Sequence, residues 1–130
     1  MASRARTASS GTPVKAVRPQ AVGYVAVPVG VEDGQVFVAM WRERFLAHVE
    51  SVGLELGPVF TDVHGRTESG LYALVGYLRR HGAVAVVVPD QTHLTHGGCL
   101  AGADQRAAER FLWAPVVYAA GGPPSDTARA

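Results

Sequence analysis

The chain has 130 residues, one domain by length, and a chain of that size can bury roughly two-thirds of its unfolded surface. No apolar run approaches the ~20 residues of a membrane span, and the first twenty residues hold no apolar stretch of the kind a secretory leader needs. One cysteine, Cys99, excludes an internal disulfide and an all-cysteine zinc site, and twelve basic against eleven acidic residues leave a net charge of +1.

That charge is unevenly spread. Residues 1–20 carry Arg4, Arg6, Lys15 and Arg18 and no acid, whereas residues 21–120 carry seven arginines against ten acids. The segment 1–20 is rich in Ala, Ser, Thr, Arg and Pro without periodicity, which predicts a disordered basic leader. Such an arm can touch DNA through phosphate contacts, but four charges make a weak and salt-sensitive one. "AVGYVAV" (21–27) is apolar and β-prone, the signature of a buried strand, and Pro28 with "GVEDG" ends it.

Residues 35–52 turn helical. Val38, Trp41, Phe45, Val49 and Val52 fall at spacings of 3, 4, 4 and 3 along one face, and Gly53 stands where a left-handed cap belongs. "LELGPVFTD" (54–62) predicts a second strand. Pro58 cannot donate to a ladder, so this strand belongs at a sheet edge. "SGLYALVGYLRRHG" predicts the next helix, with Leu71, Leu74, Val75 and Leu78 inward, Arg79 and Arg80 outward, and Gly82 as the stop.

"AVAVVVP" (83–89) reads as a central parallel strand. "ADQRAAERFL" (103–112) predicts a short helix burying Ala107, Ala108, Phe111 and Leu112, and "PVVYAA" predicts a fourth strand. Residues 121–130 read as a disordered tail. The order β-α-β-α-β-α-β over 21–120 predicts an α/β domain: a single, mainly parallel four-stranded sheet with helices on both faces.

Ligands of such sheets sit beyond the carboxyl ends of the strands. Those ends gather Asp62, His64, Arg66, Asp90, His93, His96 and Cys99. His93, His96 and Cys99 recur every third residue, and His64 or Asp90 would complete a metal set, but the spacing matches no specific zinc pattern, so no metal is favoured and no cofactor is expected. Nothing around Cys99 orients a base for a thiolate nucleophile. There is no Walker A lysine, and the acids of "GVEDG" would repel a phosphate. Asp62 and Asp90 are placed for an acid pair, although aspartates at strand ends more often cap the next helix or turn.

In order and spacing, "GYVAVP", "RERFLAHVESVGLEL", "VFTD" and "LRRHGAVAVVVPDQTHLTH" resemble the catalytic domain of serine recombinases, the resolvase/invertase family, over about residues 21–120. That family opens with Gly-Tyr-x-Arg-x-Ser on its first strand and later runs a strand into Asp-Arg-Leu-Ser-Arg. By this resemblance the nucleophilic serine falls on Pro28 and its companion arginine on Ala26. The second motif falls on Thr92, His93, Leu94, Thr95 and His96, and the family's mobile-loop arginine has Arg66 nearby but not at a matching offset.

The family's reaction needs a hydroxyl nucleophile and several permanent cations around a pentacoordinate phosphate. Proline offers no nucleophile, and histidine is mostly neutral at pH 7 and lacks the guanidinium fork. Losing one such donor typically costs about 10²–10³ in rate. The resemblance therefore implies a degenerate, catalytically inactive domain in which Arg66, His93 and His96 line the remnant of an anion pocket. It would act as a binding or regulatory module with a protein partner, in the cytoplasm. No dimerisation helix or helix-turn-helix follows the fourth strand, so sequence-specific DNA binding is not expected. Two alternatives stand beside this: another enzyme or metal site built on His93, His96 and Asp90, and weak DNA association through Arg4, Arg6, Lys15 and Arg18. Oligomeric state and partner are not legible.

Overall fold

The structure, a computed structural model, describes residues 18–120; of the expected leader (1–20), residues 1–17 lie outside the described residues and Gln20 already belongs to the first strand, and the expected tail (121–130) lies outside the described residues. Seven elements follow one another in strict alternation: β1 (Gln20–Val27), α1 (Gly34–Ser51), β2 (Glu55–Val63), α2 (Ser69–His81), β3 (Ala85–Val88), α3 (Gln105–Leu112) and β4 (Val116–Tyr118). Two single 3-10 turns, Gln91–His93 and Gly98–Leu100, lie between β3 and α3.

The four strands form one sheet in the order β2-β1-β3-β4, and every pairing is parallel. β2 is at the edge, as Pro58 requires. The register between β1 and β2 slips near Pro58: Ala21 pairs with Leu56 but Gly23 with Val59, so β2 carries one extra residue there. A bulge absorbs a residue that cannot donate to the ladder. β3 is shorter than the apolar run around it. Pro89 has no N–H to continue the ladder, and Val84 is already 44% exposed.

The period of two along β1 and β3 divides the core into two layers. Ala21, Val25, Ala85 and Val87 face α1, where Phe45 and Val49 are buried with Val38 and Trp41 half-buried beside them. Val22, Tyr24, Ala26, Val86 and Val88 face α2 and α3, meeting Leu71, Leu74, Ala108 and Leu112. Gly23 is needed for this packing: a Cβ there would lie 2.9 Å from the Phe45 ring, so only glycine lets α1 settle onto β1.

The predicted faces hold with two corrections. Val52 is 61% exposed, because α1 ends at Ser51 and the chain leaves the helical path at Val52 (φ −112°) before Gly53 turns it back at φ +83°. In α3 only Ala108 and Leu112 are buried, while Ala107 and Phe111 are half-buried on a helix of two turns. The chain's direction across the sheet reverses between β1 and β3. In such folds the crevice beyond those strands is the ordinary ligand site.

Candidate functional site

At the carboxyl end of β1 the crevice is closed by the β3–α3 loop. β3 pairs with β1 only as far as Gly23, so beyond it Ala26 turns a backbone N–H toward a strand that has ended. The Nδ1 of His93 accepts that N–H at 3.0 Å, replacing the missing ladder bond with a side chain. The His93 ring stacks on Phe37 at 6.5 Å and meets Trp41 edge-on at 6.4 Å, which holds it against α1. Leu94, wholly buried, anchors the same turn in the opposite layer of the core. The Gln91 amide ties the loop to the carbonyl of Ala103 at 2.7 Å.

Three residues on, His96 makes a second clasp. Its Nδ1 accepts the backbone N–H of Gly65, in the turn after β2, at 2.8 Å. Its Nε2 lies 2.9 Å from the hydroxyl of Tyr24, which itself donates to Asp62 Oδ2 at 2.6 Å. These contacts assign the ring's hydrogen. A nitrogen that accepts an N–H carries none, so the neutral ring bears its proton on Nε2 and donates to Tyr24. The proton direction runs from His96 through Tyr24 to Asp62.

Asp62 ends this chain and begins a helix. It is 4% exposed and also accepts from Thr67 Oγ1, Gly70 N and Leu71 N, each at 2.8 Å. Two of those donors are unpaired amides at the start of α2, where a carboxylate is favoured by the helix dipole. Burial alone would raise the pKa of Asp62, but hydrogen bonds from Tyr24, Gly70, Thr67 and Leu71 outweigh it and hold the carboxyl below its usual range. Tyr24 moves the other way: burial first, then its bond to Asp62, keeps the phenol protonated far above the ordinary range. Both histidines are pushed down, chiefly by burial. His64 adds repulsion at each, whereas Asp90 opposes the shift at His93 and Asp62 and Glu68 oppose it at His96.

The remaining candidates do not join this constellation as ligands. Asp90 accepts from the N and Oγ1 of Thr92 and so caps its own turn. Thr95 bonds the carbonyl of Gln91. His64 is exposed, with its ring 5.3 Å from that of His96, and Cys99 and Arg66 are exposed. Among the described residues no three His, Cys, Asp or Glu side chains converge so as to hold a metal ion. Ala26 is buried in β1, and Pro28 follows the strand, its carbonyl accepting from Val31 N.

A cleft of about 630 Å³ opens on the other side of β1, between the start of α1 and the end of β2. Glu32, Asp33, Asp62 and Arg42 border it, and Arg42 is the one cation among its described lining residues. Asp33 is spent on capping α1 through Gln35 N and Val36 N. Tyr24 is the member of this hydrogen-bonded constellation that sequence reading missed. Its signal was present: a tyrosine inside a buried strand usually finds a partner for its hydroxyl.

No family model and no curated protein matches the chain. Its structure is similar to the crystal structure of the C-terminal catalytic domain of ISC1926 TnpA, an IS607-like serine recombinase, with a TM-score of 0.62 at 15% identity. The match covers 85% of this chain and 76% of that one. The chain therefore has the serine recombinase catalytic-domain fold, as the quoted segments implied.

Proposed function

We propose that this domain keeps a recombinase fold without its phosphoryl-transfer chemistry and serves as a binding or regulatory module. One observation carries the reading. At the end of β1, where the resemblance puts an arginine and a nucleophilic serine, stand Ala26 and Pro28, and the loop above them presents two neutral imidazoles already committed to backbone amides. His96 has no N–H left for an anion, because its Nε2 proton goes to Tyr24. An anion pocket of Arg66, His93 and His96 would require both clasps to open first. The acids beside the neighbouring cleft further disfavour a phosphodiester.

Support for a protein partner comes from the opposite end of the sheet. Trp113 is 79% exposed and adopts a left-handed conformation (φ +60°), a strained state for a bulky side chain. Its ring lies under the guanidinium of Arg79, at 5.6 Å, and borders a cleft with Leu78, Gly82 and Ala83. An exposed aromatic held at a strained position suits a contact with another molecule better than it suits the fold. We place the protein in a reducing, cytoplasmic setting, supported by its lone free Cys99. Among the described residues no helix is long and apolar enough to cross a membrane.

We assign any DNA affinity of the chain to Arg4, Arg6, Lys15 and Arg18; of these only Arg18, which is exposed, lies among the described residues. Fluorescence anisotropy of a labelled duplex tests this. The full chain should bind weakly with a log–log salt slope of about −3 to −4, as four cations imply, and replacing the four cations by alanine should abolish binding. Undiminished binding by that variant, or a covalent protein–DNA adduct on a denaturing gel, would overturn the reading.

A further inference from the structure

We propose that His93 and His96 form a paired, acid-sensitive clasp: as neutral imidazoles they hold the β3–α3 loop over the β1/β3 crevice, and protonation releases it. The geometry carries this. Each ring accepts a backbone N–H on Nδ1, from Ala26 of β1 at 3.0 Å and from Gly65 of the β2–α2 turn at 2.8 Å. An imidazolium has no acceptor; both its nitrogens are donors. A proton on Nδ1 would face another N–H across a hydrogen-bond distance, so neither contact survives protonation. The two bonds lie three residues apart on one loop and grip two different elements, so their loss frees the loop from both.

The groups that face each ring set how readily this happens. Around His96 stand Tyr24 of β1, Asp62 of β2, His64 in the turn after β2, and Glu68 at the start of α2. Glu68 also lies against Gly98 on the histidine loop, where the backbone has φ +64° and a Cβ would collide with the carboxylate. Around His93 stand Asp90 on its own loop, His64, His96, and from α1 the uncharged rings of Phe37 and Trp41. The carboxylates would welcome a cation that the hydrogen bonds forbid. Once charged, His96 therefore gains by turning toward Asp62 and Glu68 and away from Gly65. Burial of both rings delays the event to a pH below that of an ordinary histidine.

Tautomer-resolved NMR of the imidazole nitrogens, read with amide hydrogen exchange on the full chain, tests this. Near neutral pH both rings should carry their proton on Nε2. As the pH falls from about 7.5 to about 5, the window in which histidine titrates, exchange protection at Gly65 and Ala26 should drop about tenfold after correction for intrinsic rates. The amides of Val25 and Val87 should not follow. His96→Gln offers a non-titrating acceptor and should remove the pH dependence at Gly65 while leaving that at Ala26. Should the variant not fold, the wild-type titration decides alone. A proton on Nδ1 at neutral pH, ring titration without loss of protection, or no titration down to about pH 5 would each overturn the proposal.

Discussion

Tyr24 is the hinge of the site at the scale of single residues. Its hydroxyl joins a loop histidine to a helix-capping aspartate across buried space, with contacts of 2.9 and 2.6 Å. Removing that oxygen leaves the Nε2–H of His96 without its acceptor and Asp62 with one donor fewer. Tyr24→Phe should therefore lower stability by about 1–3 kcal/mol, measured by urea denaturation, with little change in secondary structure. A loss below about 0.5 kcal/mol would mean that water replaces the phenol freely. The linking position of this residue was not legible from its neighbours in sequence. "GYVAV" reads as a strand, and neither Asp62 nor His96 is visible as a partner until β2 and the β3–α3 loop are placed beside β1. Asp62 was legible in kind, as a strand-end aspartate that caps the next helix. Its second duty toward Tyr24 was not.

At the scale of elements the hydrophobic period did most of the work. The face of α2, the edge position of β2 and the central position of β3 follow from the spacing of Leu71, Leu74, Val75 and Leu78, from Pro58, and from an unbroken β-branched run. Element ends were less legible, since Val52 and the borders of β3 depend on where a backbone bond finds no partner. The start of α2 shows how tightly such an end is specified. A Cβ on Gly70 would overlap the backbone carbonyl of Thr61, so Gly70→Ala must displace the helix from β2 and weaken the Asp62 cap. We expect a loss of about 1–3 kcal/mol in thermal or urea unfolding; an unchanged midpoint would show that α2 slides without cost. Trp113, past the end of α3, is the opposite case. Trp113→Gly removes the left-handed strain together with the contact to Arg79, so stability should stay within about 1 kcal/mol of the parent. A loss of more than about 2 kcal/mol would assign Trp113 to the fold rather than to a partner.

For the whole molecule, the titrating groups define a pH profile. The folded chain holds His93 and His96 below the ordinary value of 6.5, so the unfolded chain takes up protons first as pH falls. Stability should hold above that value, decline as pH drops below 6.5 toward the lowered values of the folded rings, and then level off. Asp62 acts at the acid end. Its contribution is present above 3.8 and is lost as pH falls through its lowered folded value, giving a second decline. Urea midpoints across this range check both steps, and a flat profile between neutral pH and about pH 5 would contradict the first.

On the proposed reading, the crevice beyond β1 does not take up phosphate. The most direct measurement follows the amide of Ala26 and the rings of His93 and His96 by NMR at neutral pH, while the full chain is titrated with inorganic phosphate and, separately, with a short DNA duplex. No saturable shift is expected at these three residues with either ligand, whatever the cations of residues 1–18 do. Saturable shifts converging on Ala26, His93 and His96 would show that an anion enters the crevice, and would contradict that reading.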